Sequence, residues 1–156
     1  ASENYLRILL PNVNTFVMRM FNVYGPGQDF KNLKQGMVSI YLAQALESSK
    51  IEVKGSLDRF RDFIFIDDVV EAWVNTLNTE LNGFNVFNIG SGKKVLVSEL
   101  LSVIKEQLSS VAISNLPGTP GDQRGIYSDN SKMIQYLKDN EFMTLEEGLK
   151  RVINDY

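Results

Sequence analysis

Cysteine and histidine are both absent from this chain. The first absence excludes disulfides and thiolate metal sites, and leaves the chain compatible with a reducing compartment. The second excludes Ser-His-Asp triads and histidine-containing zinc sites. Long apolar runs are missing too. No stretch reaches the length of a membrane span, and no charged-then-apolar leader opens the sequence. An excess of positive charge is also lacking. The net charge is −3, so no broad basic face advertises nucleic acid or an anionic membrane. Local arginine sites for a small anion are not excluded by that balance.

What is present is globular. The apolar share of 44% is that of a folded protein and argues against disorder. A chain of 156 residues fits one domain and buries roughly two thirds of its unfolded surface. Helical and strand-like patterns alternate along it, which argues an α/β fold. No internal repeat or low-complexity segment interrupts them.

Residues 2–10 read as a helix stopped by Pro11-Asn12. Residues 15–21 form a nearly continuous apolar run, the pattern of a strand buried on both faces. Residues 22–36 hold Gly25, Pro26, Gly27, Asn32 and Gly36 and read as a long loop, a class that commonly carries function. Residues 37–48 place Val38, Tyr41, Leu42, Ala45 and Leu46 on one helical face. Residues 51–55 alternate as a short strand, and 63–66 form another. Asp67 is the expected cap of a helix over 68–78, with Val69, Ala72, Trp73 and Leu77 on its apolar face. A strand over 85–89 ends at Gly90-Ser91-Gly92, and Ser98 is the expected cap of a helix to about 109. A strand over 111–115, a Gly/Pro loop over 117–125 and a helix from Ser128 or Asp129 to about Lys138 follow. Thr144-Leu145-Glu146-Glu147 is a capping box for the last helix.

Taken by themselves, few residues announce chemistry. Gly90-Ser91-Gly92-Lys93-Lys94-Val95 is a turn and not a dinucleotide loop. Its third glycine is replaced by Val95, and the following helix starts too late to aim N–H groups at a diphosphate. Asp67 and Asp68 suit the positive end of a helix better than acid-base work. Arg59, Arg61 and Arg124 read as surface residues. Asn22 reads as a turn former, and Trp73 as core.

Three segments change that reading: Arg19-Met20-Phe21-Asn22-Val23-Tyr24-Gly25-Pro26, Arg61-Asp62-Phe63-Ile64-Phe65-Ile66-Asp67-Asp68-Val69 and Pro120-Gly121-Asp122-Gln123-Arg124. Together they resemble the NAD-dependent nucleotide-sugar epimerases and dehydratases, the extended short-chain dehydrogenase family of UDP-glucose 4-epimerase type. The resemblance covers essentially the whole chain but only the C-terminal half of a family member. It implies the last sheet strands of a Rossmann-type fold plus a small substrate-binding α/β subdomain. Residues of about 1–24 and 68–110 would belong to the sheet and its helices. Those of about 25–67 and 111–156 would belong to the substrate part. The linker Asp139-Asn140-Glu141-Phe142-Met143 departs from the family's usual pattern.

The resemblance also implies roles. Arg61 and Arg124 would pair with the diphosphate of a nucleotide sugar, as a guanidinium fork can. Asn22 would reach the phosphate or sugar, and Ile126 would lie near the sugar ring. The strand carrying Ile51 and Val53 would pair its backbone with a uracil or thymine base. Phe21 would lie beside the nicotinamide of NAD. Arg59 has no such counterpart and stays a surface residue. Tyr24 is not the family's catalytic tyrosine. The glycine-rich NAD turn and the catalytic Tyr-x-x-x-Lys pair are not in this sequence, so no catalytic residue is assigned and no metal is expected.

The first helix resembles one used in the family's helical dimer interface, which makes Tyr5, Leu6, Leu9 and Leu10 interface candidates. The missing N-terminal half is the other expected partner, and a cytoplasmic enzyme of carbohydrate metabolism is the implied setting. Two functions stay open at this point. One is the substrate-binding portion of an NAD-dependent epimerase acting by transient hydride transfer at the sugar C4, with dehydratases and decarboxylases as near relatives. The other is a non-catalytic module that kept the fold and binds a nucleotide sugar or a protein.

Overall fold

The structure is a computed structural model that describes residues 2–32, 36–118, 121, 123–138 and 141–156. Ala1, Pro120, Asp122, Asp139 and Asn140, which belong to segments named above, lie outside the described residues.

The chain opens with helix α1 (Ser2–Leu9), which buries none of its side chains. Strand β1 (Thr15–Met20) pairs in parallel with β6 (Phe84–Ile89), Thr15 opposite Phe84 and Met20 opposite Ile89. After Phe21 the chain continues as β2 (Asn22–Tyr24), which pairs in parallel with β5 (Phe63–Phe65). The expected long loop therefore begins with a short strand. Phe21 N–H donates to Ile89 O at 3.0 Å, and Asn22 N–H donates to Asp62 O at 3.1 Å. Successive peptide groups of an extended chain point to opposite flanks. At residues 21 and 22 the chain thus changes partner from β6 on one flank to β5 on the other.

β1 is half-buried rather than buried on both faces. Its odd-numbered peptide groups face β6. Those of 16, 18 and 20 face the other flank, where no described strand pairs with them. The result is an open sheet edge.

Helix α2 (Met37–Ser48) buries Val38, Tyr41, Leu42 and Ala45 and leads into β3 (Lys50–Lys54). β3 pairs in parallel with β8 (Ala112–Leu116). The short strands β4 (Phe60–Arg61) and β7 (Val95–Leu96) pair antiparallel, Arg61 opposite Val95.

Helix α3 (Ile66–Asn75) starts one residue before Asp67, because β5 runs directly into it through an extended Phe65. Among the described residues Asp67 accepts no cap bond. Its carboxylate instead takes a bond from Arg151 Nη1 at 3.1 Å. α3 turns Val69 and Ala72 inward, whereas Trp73 (48% exposed) and Leu77 (84%) are not in the core where the sequence pattern put them.

Helix α4 (Val97–Gln107) also begins before its expected cap, Ser98. The carbonyls of Arg59 and Leu57 accept the N–H groups of Val97 and Ser98, at 2.8 and 3.1 Å, and Glu99 Oε2 accepts Leu96 N–H at 2.7 Å. These three acceptors satisfy the helix start, so no serine cap is needed. Helix α5 (Ser131–Leu137) is approached by Asp129, whose Oδ1 accepts both Ser131 N–H and its hydroxyl. Helix α6 (Leu145–Asp155) has the expected cap, Thr144 Oγ1 accepting Glu147 N–H at 3.2 Å.

Two apolar clusters hold these elements. The larger joins α2, β3, α4 and α6 around Tyr41, Leu42, Ile51, Phe63, Phe65, Leu100 and Leu149. The smaller joins α3, β6 and α5 around Ile64, Val69, Phe87, Ile89, Met133 and Leu137. Alternation along β5 sends Phe63 and Phe65 to one cluster and Ile64 to the other, so β5 is the wall they share. α4, expected with the sheet part, packs in the first cluster. α5, expected with the substrate part, packs in the second.

Candidate functional site

The partner change at residues 21 and 22 opens a cleft at the C-terminal end of β1, where open α/β sheets hold ligands. Its volume is about 500 Å³, and Arg19, Met20, Phe21, Asn22, Asn88 and Ile126 line it. Three residues expected from sequence, Phe21, Asn22 and Ile126, therefore meet in one place. Asn22 is held there: its Nδ2 donates to Asp62 O at 3.0 Å, alongside its own peptide N–H. Arg19 is held by Glu3 of α1, Nε to Oε1 at 2.8 Å and Nη2 to Oε2 at 2.5 Å. The hydrogen bond and charge of Arg19 keep the Glu3 carboxyl below its ordinary pKa.

Ile126 belongs to a segment that connects this cleft to a second. Phe60 N–H donates to Arg124 O at 3.1 Å, and Gly125 bridges Phe60. A Cβ on Gly125 would lie 2.5 Å from the Phe60 ring, so only glycine permits this approach. Arg124 lines the second cleft, of about 660 Å³, with Ser56, Asp58, Arg59, Asn115 and Leu116. Arg61 sits beside the same segment. Its Nη1 donates to Phe60 O at 2.7 Å, with longer contacts of 3.4 and 3.5 Å from Nη1 and Nη2 to Gln123 O. Among the described residues no carboxylate forms an ion pair with Arg61 or Arg124.

Arg59 corrects a sequence expectation. It is buried, at 9% exposure, not a surface residue. Its Nε donates to Ser56 O at 3.0 Å, and its Nη2 donates to Lys54 O. It also lines a third space, a groove of about 390 Å³ between α2 and the edge of β3, with Met37, Ile40, Tyr41, Gln44, Glu52 and Lys54.

Along that groove β3 presents Glu52 and Lys54. Ile51 and Val53 are fully buried core residues. Ser49 O accepts Ala112 N–H, and Gly55 N–H donates to Leu116 O. The odd-numbered peptide groups of β3 therefore face β8. The outward peptide groups are those of Lys50, Glu52 and Lys54. Glu52 N–H is occupied by Gln44 Oε1 at 2.9 Å, and Lys54 O by Arg59.

The three spaces form a series. Arg59 is common to the groove and the second cleft. Residues 124–126 join the second cleft to the first. One group organises the far end: the carboxylate of Asp62, fully buried. Oδ1 accepts Ser91 N–H at 2.8 Å and the Ser91 hydroxyl at 2.7 Å. Oδ2 accepts Gly92 N–H at 3.1 Å, Ser128 N–H at 3.0 Å and the Ser128 hydroxyl at 2.6 Å. The Gly90-Ser91-Gly92 turn is thus a clasp on Asp62. A Cβ at Gly90 would lie 2.5 Å from Ser128 Oγ and 2.6 Å from Asp62 Oδ2.

Residues 8–90 match the NAD dependent epimerase/dehydratase family. The chain belongs to that family. It is 29% identical to the dTDP-4-dehydro-6-deoxyglucose reductase of Escherichia coli, over 97% of this chain and 48% of the relative. A solved UDP-glucose 4-epimerase of Thermotoga maritima with UDP-glucose superposes with a TM-score of 0.86 at 32% identity, over 99% of this chain and 50% of that one. A UDP-glucuronic acid 4-epimerase of Bacillus cereus with UDP-glucuronic acid and NAD gives 0.79 at 25% identity, over 97% and 46%. The chain spans about half the length of the curated relatives it matches. The α/β, Rossmann-type extended short-chain dehydrogenase fold expected from sequence is the fold these comparisons support.

Sequence reasoning missed Asp62, Arg59, Gln44 and Asn88 as parts of the site. Asp62 carried a signal, a charged residue set directly before the apolar run Phe63-Ile64-Phe65. Gln44 and Asn88 carried none. Among the described residues no helix is long and apolar enough to cross a membrane.

Proposed function

We propose that this chain forms the nucleotide-sugar-binding part of an NAD-dependent epimerase that acts on a UDP- or dTDP-sugar. The observation that carries the reading is the series of three adjoining spaces, ordered as a nucleotide sugar is ordered. The groove at Met37, Ile40, Tyr41 and the outward edge of Glu52 takes the pyrimidine base, with Gln44 giving up the Glu52 N–H. Arg124 and Arg61 bind the diphosphate through charge-assisted bonds, over the guanidinium of Arg59. Asn22 and Ile126 receive the sugar, Asn22 by its carboxamide and Ile126 by its bulk.

The chain's own contribution is placement. Two guanidinium groups without carboxylate partners among the described residues suit a dianionic diphosphate, and holding it fixes the sugar at the end of β1. Phe21 and its neighbours fit the nicotinamide edge of a dinucleotide. The sequence has no glycine-rich turn for the dinucleotide's diphosphate. When bound, NAD supplies the hydride acceptor and donor for the change at the sugar C4. That turn and the Tyr-Lys pair must come from elsewhere, and the open edge of β1 suits pairing with such a partner. We further infer that α1 and the residue after it pack against a second copy through Tyr5, Leu6, Leu9 and Leu10, all of them solvent-exposed here.

The test is turnover by the protein at its full encoded length. UDP-glucose and dTDP-glucose are each incubated with NAD, and the C4 epimer is followed by NMR. Appearance of the epimer, lost in Arg61→Ala at sub-saturating substrate, is the expected result. Tight binding with no epimer in any case favours the dehydratase, reductase or decarboxylase branches of the family.

A further inference from the structure

The Asp62 carboxylate is fully buried, yet among the described residues no lysine or arginine pairs with it. Neutral donors satisfy it instead. Three N–H groups and two hydroxyls from Ser91, Gly92 and Ser128 use both of its oxygens. Its own carbonyl accepts twice from Asn22. One residue therefore ties down three separate segments: 22, 90–92 and 128.

Each segment ends at the cleft. Asn22 lines it directly. Asn88 lies two residues before Gly90, and Ile126 two residues before Ser128, and both line it. Arg61 is the covalent neighbour of Asp62. Five donors converging on a carboxylate fix its two oxygens, and through them the turn and the 126–128 segment.

We propose that Asp62 is the positioning residue of the sugar end of the site, setting Asn22, Asn88 and Ile126 against Arg61. Asp62 does not touch the ligand. It acts through the backbone of the segments that do. The statement about ligand rests on the nucleotide-sugar reading above, whereas the statement about geometry does not.

Asp62→Asn tests it, because an amide keeps one acceptor oxygen and turns an NH2 group toward at least two donors. Ser128→Ala, which removes a single hydroxyl, serves if Asp62→Asn does not fold. Leu149→Ala, in the larger core and away from the cleft, controls for loss of stability. Two quantities are read on the full-length protein: the Kd for UDP-glucose and dTDP-glucose, and amide hydrogen exchange by mass spectrometry. A Kd raised ten-fold or more in Asp62→Asn, less in Ser128→Ala and not in Leu149→Ala, is expected. Faster exchange confined to peptides around 21–23, 90–92 and 126–128 is expected with it. Affinity equal to wild type, or lost equally in Leu149→Ala, overturns the proposal. If wild type binds neither sugar nucleotide, the exchange pattern decides alone. Confined loosening then keeps Asp62 as positioner while the ligand reading falls, and unchanged or global exchange removes it.

Discussion

Two buried aspartates six residues apart, Asp62 and Asp68, are held in opposite ways. Among the described residues the Asp62 carboxylate is held by neutral dipoles, behind residues that line the first cleft. Asp68, 5% exposed, sits beyond the other end of β5, in the first turn of α3, and is held by charge. Lys138 Nζ lies 3.0 Å from Asp68 Oδ1 and 2.5 Å from Glu71 Oε2, and Met143 N–H donates to Asp68 Oδ2 at 3.1 Å. Around Asp68, Tyr24 is buried, and burial and the Asp68 charge push its phenol pKa upward. The contrast separates two jobs. Dipoles that come from two separate segments, 91–92 and 128, fix geometry. A lysine on a flexible stem neutralises charge and clamps α3 to the end of α5, which is a contribution to stability.

The comparison breaks first at Lys138. Lys138→Met leaves Asp68 buried without its cation, a change that costs about 3–5 kcal/mol. Urea unfolding should show that loss, while the folded variant keeps the wild-type Kd for sugar nucleotide. Arg61→Ala should do the reverse. Losing a charge-assisted contact of about 1.5–3 kcal/mol weakens binding roughly ten- to hundred-fold, with the melting midpoint nearly unchanged. Equal affinity would remove Arg61 from the site.

Gly148→Ala probes the packing of the Asp68 region. The added Cβ would collide with the Tyr24 hydroxyl. Overpacking of that kind costs about 1–3 kcal/mol, and Tyr24→Phe in the same chain should recover part of it.

The smallest expected effect is on pH. Burial pulls the Lys138 pKa down, and its bonds to Glu71 and Asp68 more than reverse this, so it ends above its ordinary 10.5. A raised lysine contributes stability that is complete below the unfolded pKa and is lost as pH rises through the folded one. Stability should therefore fall at alkaline pH above that ordinary value. The fall should be shallower in Lys138→Met.

The sequence made the element order legible because apolar periodicity reports burial directly, as in Val38-Tyr41-Leu42-Ala45 of α2. It misplaced helix starts where acceptors came from distant chain: Leu57 and Arg59 carbonyls at α4, and β5 running straight into α3. Trp73 and Leu77 fit a helical stripe, yet neither is buried among the described residues. A stripe says that a face is apolar, not that something packs on it. Asn22, Arg61, Arg124 and Ile126 became candidates through a resemblance in their motifs. Asp62 did not, because a charge set before an apolar run does not name its partners, two of them serines 29 and 66 residues away in sequence. Which peptide groups of β3 face outward, those of Lys50, Glu52 and Lys54, needed the register against β8.

Calorimetric titration of the full-length protein with UDP-glucose, UDP-N-acetylglucosamine and dTDP-glucose tests the central claim most directly. The account predicts saturable binding of at least one of them, at one site per chain, weakened by Arg61→Ala and by Arg124→Ala. A folded, monodisperse protein that binds none of the three would contradict it.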